Sequence, residues 1–317
     1  MSVWQRFVGL IQPNVKQEPM SNLEETKEQL WATGEFPLPR NGEEPTAGSL
    51  DLEICLQTDL GMVRRNNEDR GIYKRPSDPE VAAAKGTLII VADGMGGASA
   101  GEVASEMAVK IIPEAYYSSP KAPALALKEA VESASGEIHR TAQTDPELRG
   151  MGTTCVAMAV LLPEVFVAYV GDSRLYLLRD DSFYQLTEDH TVVNEMVRKG
   201  IITRDQARHH EERNVLSMSM GGRPEITASY WEKPMLVRAG DRLLVCSDGL
   251  HDLVGDLEMQ AIITDSPAHR AVQNLIEAAK RNGGHDNITA ALVHVYIPKI
   301  QSETDFKATR ELLISSE

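Results

Sequence analysis

Four acidic groups in this 317-residue chain stand where apolar runs begin or end, and that placement is where chemistry can start. Asp93-Gly94 closes TLIIVADGMGG, in which Leu88, Ile89, Ile90 and Val91 read as a strand buried on both faces. Asp248-Gly249 closes RLLVCSDGL in the same way, and Asp286-Asn287, after Gly283-Gly284-His285, opens the apolar run ITAALVHV. Glu68-Asp69 lies in RRNNEDRG, just beyond LEICLQTD. A carboxylate at the end of a buried strand is costly unless a cation or several donors meet it. One Asp-Gly alone reads as a tight turn. Several such ends converge if their strands share a sheet, and hard divalent cations are held by carboxylate and carbonyl oxygens. The constellation therefore points to a magnesium or manganese site.

The elements that must position these groups follow from periodicity. LEICLQTD is a strand, followed by a polar loop over Arg64–Arg70 and a second loop, KRPSDPE, before the strand at Thr87. SAGEVASEMAVKIIPEAYY has helical spacing in Val103, Met107, Val109 and Ile111, with Ser99 as a candidate N-cap and Pro113 expected to end or kink the helix. LALKEAVESASGEIHRTAQ forms a second helix with Leu127, Ala130, Val131 and Ile138 on one stripe. From Gly150 the period shortens into a strand meander over residues 153–162, 165–170, 174–178 and 183–186. The segment 189–223 is an insertion between strands, readable as a flap near a site or as a plain surface excursion. Strands at 226–231 and 242–245, helices at 256–263 and 268–280, and a last strand at 288–296 complete the pattern. Strands in hairpins alternating with helix pairs imply an α+β architecture of antiparallel sheets covered by helices. Residues 1–48 are polar and aperiodic and read as a flexible leader; 49–297 form the globular domain, and 298–317 a polar tail.

Composition narrows the function. A net charge of −15 argues against nucleic acid or an anionic membrane as main partner. No apolar run approaches the ~18 residues of a membrane span, and no secretory signal is visible, so a cytoplasmic location is expected. Cys55, Cys155 and Cys246 are odd in number and sit in strand-like segments, as reduced thiols would. The chain carries no P-loop, no G-x-S-x-G elbow, no Cys followed six positions later by Arg, and no zinc-spaced His pair.

RRNNED, VADGMGG, MGTT, VGDSR, CSDGL and GGHDNIT, in this order, resemble the metal-dependent serine/threonine protein phosphatases of the 2C type, in their bacterial branch. The resemblance covers roughly residues 50–297. It implies a four-layer α-β-β-α sandwich, two antiparallel sheets flanked by helix pairs, with two Mn2+ or Mg2+ ions at one end. By the same resemblance, Asp93 bridges the ions, the Gly94 carbonyl ligates one of them, and Asp248 and Asp286 hold the other. Glu68 and Asp69 act through water, Asn287 orients the Asp286 side, and Asp172 helps bind a third, weaker ion. Arg64 binds the substrate phosphate, a role that suits a guanidinium fork, while Arg65 is read as solvated surface. The reaction implied is attack on phosphoserine or phosphothreonine of proteins by water activated between two metals, with no covalent phosphoenzyme. The implied setting is signalling opposite a serine/threonine kinase, as a monomer.

The chain departs from the family where the leaving-group acid is expected. Eukaryotic members carry His directly after the Asp-Gly, and here it is Met95; many bacterial members carry His after GMGG, and here it is Ala98. His190 is the remaining candidate, against a structural role for the same residue. Two alternatives have distinct signatures. A non-catalytic phosphoprotein-binding module would lack metal-dependent turnover, and a regulator of anti-sigma-factor antagonists would show diverged motifs and an added sensory domain.

Overall fold

The computed structural model describes residues 50–96 and 100–298. The leader expected over 1–48, Ala98, the Ser99 N-cap and all of the C-terminal tail beyond residue 298 lie outside the described residues.

Two antiparallel sheets account for the strands. One has the order β1 (Asp51–Asp59), β12 (Ile288–Tyr296), β11 (Arg242–Cys246), β7 (Arg174–Arg179), β8 (Ser182–Gln185). The other has the order β10 (Met235–Leu236), β6 (Glu164–Val170), β5 (Cys155–Leu161), β3 (Thr87–Met95), β2 (Asp69–Lys74), with β4 (Gly152–Thr153) against β3 and β9 (Ser229–Tyr230) against β6. The chain is α+β, with two antiparallel sheets and helices outside them, as the alternation of strands and helix pairs implied.

Strand alternation explains the layering. In β3, Leu88, Ile90 and Ala92 join a cluster with helices α2 (Ala100–Ser118) and α3 (Pro123–Thr144), while Ile89 and Val91 are fully buried on the opposite face. In β11 and β12, Leu244, Cys246, Ala290 and Leu292 pack with α7 (Asp256–Thr264) and α8 (Ala268–Arg281). Leu243, Val245, Ala291 and Val293 are buried on the other face, between the sheets. Both central strands are apolar on both sides because a helix pair covers one face and the second sheet the other.

Several expectations need correction. The loop over Arg64–Arg70 ends early, since β2 starts at Asp69; its pairing with β3 supplies the ladder that its mixed sequence did not signal. KRPSDPE contains the start of a short helix, α1 (Pro79–Lys85), whose N-cap Asp78 accepts from the Glu80 and Val81 N–H groups. Pro113 does not end α2, which continues to Ser118 with Pro113 buried. Packing against α3 and β3 outweighs the one backbone bond that proline removes. The buried face of α2 is also rotated from the expected stripe: Ala100, Gly101, Ala104, Ser105 and Ala108 are buried, and Val103, Met107 and Ile111 flank them. Small residues let this helix approach the sheet closely. The meander is split, for β5–β6 belong to one sheet and β7–β8 to the other, so the chain changes sheets at Gly171-Asp172-Ser173. Strand 226–231 is reduced to the two residues of β9. The segment after β8 contains helices α4 (Val192–Arg198) and α5 (Arg204–Arg208). Among the described residues no helix is long and apolar enough to cross a membrane.

Far from the acidic strand ends, Arg179 at the end of β7 grips Asp241 just before β11. Its Nε donates to Oδ1 at 2.9 Å and its Nη2 to Oδ2 at 2.6 Å, and a further bond at 2.8 Å reaches the Leu236 carbonyl. Both side chains are buried. Replacing Arg179 with Met leaves Asp241 charged and buried, so Arg179→Met is expected to cost about 3–5 kcal/mol. Denaturant unfolding measures this, and a loss below about 1 kcal/mol would show that the pair contributes little.

Candidate functional site

The strand ends meet at one edge shared by the two sheets. β2 begins at Asp69 directly opposite Asp93 near the end of β3. β11 ends at Cys246 opposite Ala290 of β12 and Arg174 of β7. Ser247-Asp248, Asp286-Asn287 and Gly171-Asp172-Ser173 therefore fall at the same edge. Asp248 opens a single helical turn, α6 (Asp248–His251), where the sequence suggested only a turn.

The backbone of Asp93 is held on both sides by the MGTT motif. Its N–H donates to Thr154 Oγ1 at 3.1 Å, and its carbonyl accepts from the Thr154 N–H at 2.8 Å and Thr153 Oγ1 at 2.9 Å. Thr154 Oγ1 in turn lies 2.7 Å from Ser173 Oγ, which ties this strand end to the Asp172 crossover. Gly94 is required by contact. A Cβ there would stand 2.1 Å from the Gly101 carbonyl oxygen and 2.6 Å from that of Glu68. Its N–H donates to the Glu68 carbonyl at 3.2 Å, and Ser105 Oγ donates to the same oxygen at 2.5 Å. Gly249 is equally confined, its virtual Cβ falling 2.0 Å from the Asn287 carbonyl oxygen.

Asn287, buried before β12, organises the rim. Its Oδ1 accepts from the Glu68 N–H at 2.8 Å, and its Nδ2 donates to the Leu60 and Asn66 carbonyls, each at 3.0 Å. One amide thus fixes both ends of the loop that carries Arg64. Arg64 is exposed and donates through Nη2 to Asp286 Oδ2 at 2.7 Å. That bond, with Asp286, Glu68 and Asp93 nearby, raises its pKa further. The Glu68 carboxyl is half-buried and raised by desolvation, although Arg64 and the Gly101 N–H at the start of α2 oppose the rise.

The inner carboxyls repel one another. Asp69 is 1% exposed, receives Ser247 Oγ at 2.7 Å, and is pushed up to about 7 by burial and by Asp248 and Asp286. Asp172, 8% exposed, is also pushed up to about 7, by burial first and then by Asp248. Asp93 is driven well above the usual carboxylate range by burial, Asp69, Asp248 and Asp172. Asp248 is raised by burial while the nearby His251 pulls it back. Asp93 and Asp248 stand within hydrogen-bonding reach of each other, and Asp248 Oδ1 is buried with no hydrogen-bond partner. Like charges so close, with an orphaned acceptor among them, fit a hard divalent cation. Among the described residues no three His, Cys, Asp or Glu side chains converge by themselves on one ion position. An ion here would complete its shell with water and backbone carbonyls such as that of Gly94, as magnesium and manganese readily do.

The structure thus brings Glu68, Asp69, Asp93, Gly94, Asp172, Asp248, Asp286, Asn287 and Arg64 to one edge. It does not bring His190 there as a free acid. His190 stacks on Tyr169 at 5.3 Å, its Nδ1 accepts from the Gly171 N–H at 3.0 Å, and its Nε2 lies 3.0 Å from Ser229 Oγ. Burial lowers its pKa, and the Gly171 donor leaves no room for a proton on Nδ1. His190 is a structural histidine. Met95 pairs with Gly152 at the end of β3, and Ala98 lies outside the described residues. Sequence reasoning missed Ser247, Thr154 and Ser173, although each lies inside a quoted motif, and His251, whose Nε2 is 3.0 Å from the Asp172 carbonyl oxygen.

Comparison with known proteins agrees with this geometry. The protein phosphatase 2C family matches residues 80–293. The chain is similar to protein phosphatase PhpP of Streptococcus pneumoniae, 37% identical over 247 residues that cover 76% of this chain and 97% of that protein. It is similar in structure to the Mycobacterium tuberculosis serine/threonine phosphatase PstP/Ppp, with a TM-score of 0.68 at 33% identity over 77% of this chain and 98% of that one. The catalytic domain of PstP in complex with two manganese ions matches with a TM-score of 0.67 at 33% identity, over 78% of this chain and all of that one.

The raised carboxyls make stability depend on pH. The unfolded chain releases these protons near the ordinary value of 3.8, and the folded chain keeps those of Asp69 and Asp172 to about 7. Their contribution is fully present below about pH 4 and is lost as pH rises towards neutrality. In chelator, the melting temperature is expected to fall between about pH 4 and pH 7 and to level off above that. Added manganese should restore it at the upper end, and Asp172→Asn should make the fall shallower. A melting temperature that climbs across this window in chelator would contradict the electrostatics.

Proposed function

We propose that this chain, which belongs to the protein phosphatase 2C family, hydrolyses phosphoserine and phosphothreonine esters on proteins with two Mg2+ or Mn2+ ions. The observation that carries the reading is the meeting of Asp93 and Asp248 from opposite sheets, with Asp248 Oδ1 buried and unpartnered. Asp93, the Gly94 carbonyl, Asp248 and Asp286 would hold these ions. Asp172 would help hold a third, weaker ion. Divalent ions held there supply Lewis acidity that makes water a nucleophile near neutral pH.

The remaining steps belong to side chains. Arg64 at the exposed rim would take two phosphate oxygens on its fork, orient the ester and offset charge that builds on the equatorial oxygens. Its present partner Asp286 aims it towards the carboxylate edge. Glu68 and Asp69 would order water, Asp69 being fixed for this by Ser247. Asn287 positions the Asp286 turn and the Arg64 loop together. No side-chain nucleophile is needed. Burial pushes the Cys155 thiol up to about 12 and raises that of Cys246 as well, so neither is a thiolate at neutral pH. With His190 committed to Gly171 and Ser229, water would protonate the leaving oxygen.

The finer reading is a cytoplasmic, monomeric enzyme opposing a serine/threonine kinase in signalling. The segment 189–223 would serve as its flap. Support for the flap comes from Met220, whose backbone bonds with Thr153 at 3.1 and 2.9 Å link the end of that segment to the strand beside Gly94.

Loss of an outer partner of a metal ligand costs about 10–100-fold in affinity or activity, so loss of a ligand should cost more. Asp248→Asn is therefore expected to lower manganese-dependent phosphate release from a phosphothreonine peptide by about a hundredfold or more. Near-wild-type turnover by a folded Asp248→Asn protein would refute the assignment.

A further inference from the structure

Among the described residues the large exposed apolar side chains stand apart along the chain, at Leu125, Ile201, Leu236, Leu257 and Ile297 among others, with one exception. Leu60, Met62 and Val63 crowd into a single loop and are 39%, 65% and 67% exposed. That loop runs directly into Arg64.

Its backbone is built to hold still. The Gly61 N–H donates to Asp59 Oδ1 at 2.8 Å, and Asp59 Oδ2 is paired with Lys280 at 3.2 Å. The Met62 N–H donates to the Gly284 carbonyl at 2.7 Å, and the Leu60 carbonyl is taken by Asn287 Nδ2 at 3.0 Å. Gly61 has φ +77°, and a Cβ there would come within 2.1 Å of the Asp286 carbonyl oxygen, so the loop lies flat on the Gly283–Asp286 turn. A pinned backbone that leaves Met62 and Val63 about two-thirds exposed gains little for the folded core. Exposed apolar groups of this kind mark a contact surface.

We propose that Met62 and Val63 form a platform that reads the residues next to the phosphoamino acid, selecting protein substrates with an apolar side chain beside it. This rests on the phosphatase reading above. Val63 is bonded to Arg64, the phosphate-holding group of that reading, and an extended chain advances about 3.3–3.6 Å per residue. A substrate whose phosphate sits on Arg64 therefore lays its immediate neighbours across this loop. The occupant is the flanking segment of the substrate itself, since the platform is continuous with the phosphate site.

The full chain with manganese is assayed on two phosphothreonine peptides of equal charge that differ only in carrying Leu or Ser beside the phosphoresidue. One methylene in an apolar site discriminates by about tenfold or more. The Leu peptide is therefore expected to have a kcat/KM about tenfold higher, expressed in KM rather than kcat. In the Met62→Ser/Val63→Ser double variant this ratio should collapse towards one, and Val63→Thr, which keeps the shape and adds a hydroxyl, should lower it partway. Both side chains are exposed, so the fold does not depend on them, and turnover of p-nitrophenyl phosphate reports the condition of the site. A wild-type ratio near one, or an undiminished ratio in the double variant, overturns the inference and leaves the phosphatase reading standing. Absence of turnover on every ester by the wild-type chain removes that reading and the inference together.

Discussion

Burying several like charges at one place is the constraint on which this structure turns. Asp69, Asp93, Asp172 and Asp248 come from two sheets and a crossover, and burial raises the pKa of each. No gain in apolar packing explains such a cluster, because each carboxyl costs desolvation and repels the next. Around it the fold supplies a hydroxyl donor to one carboxyl, Ser247 to Asp69, and holds the Asp93 backbone, whose carbonyl accepts from Thr153 Oγ1 and the Thr154 N–H and whose N–H donates to Thr154 Oγ1. The serine orients Asp69 and the threonines fix the strand end that carries Asp93, and neither brings a positive charge to the cluster.

Close approach makes the cluster possible. Gly94 and Gly101 touch with no space for a side chain on either, which seats the start of α2 against the end of β3. Gly249 does the same for the turn after β11 against Asn287. Each glycine brings a backbone within reach of a carboxyl that must be placed to within a fraction of an ångström. The small buried face of α2, from Ala100 to Ala108, extends the same economy of volume along the helix. Substitutions at these points would act on the site through distance rather than through chemistry.

Much of this was legible in the sequence, for identifiable reasons. β3, β11 and β12 are buried on both faces, so their apolar runs have no competing reading, and the acids at their ends stand out by contrast. The stripe of α3 was likewise legible, since Leu127, Ala130, Val131 and Ile138 are all buried. β2 was not, because DRGIYK is half-exposed and takes its strand character from pairing with β3, a long-range property. Pro113 misled because local propensity penalises proline, whereas tertiary packing decides α2. The sheet change at Gly171 also escaped, since alternation within β6 and β7 is the same whichever sheet they join. His190 could not be settled from one dimension, because the partners that occupy both its nitrogens lie 19 and 39 residues away.

Two buried acids show how charge in this molecule divides between scaffold and site. Asp241 and Asp69 are each 1% exposed. Asp241 is met by the guanidinium of Arg179 through two bonds and by the Arg238 N–H, so its charge is answered inside the chain. Asp189 is answered the same way by Arg174, at 2.9 and 2.6 Å. Asp69 receives only hydroxyl and similar neutral donors, although arginine would fit a carboxylate better than serine does. An arginine in place of Ser247 would answer the charge of Asp69 inside the chain, as Arg179 answers that of Asp241. Asp189 and Asp241 thus carry their own arginines, and at the acidic edge Arg64 does the same for Asp286 at the exposed rim, while the inner Asp69 is met by a hydroxyl. That lack of an internal cation, rather than burial as such, sets Asp69 apart from the equally buried Asp241.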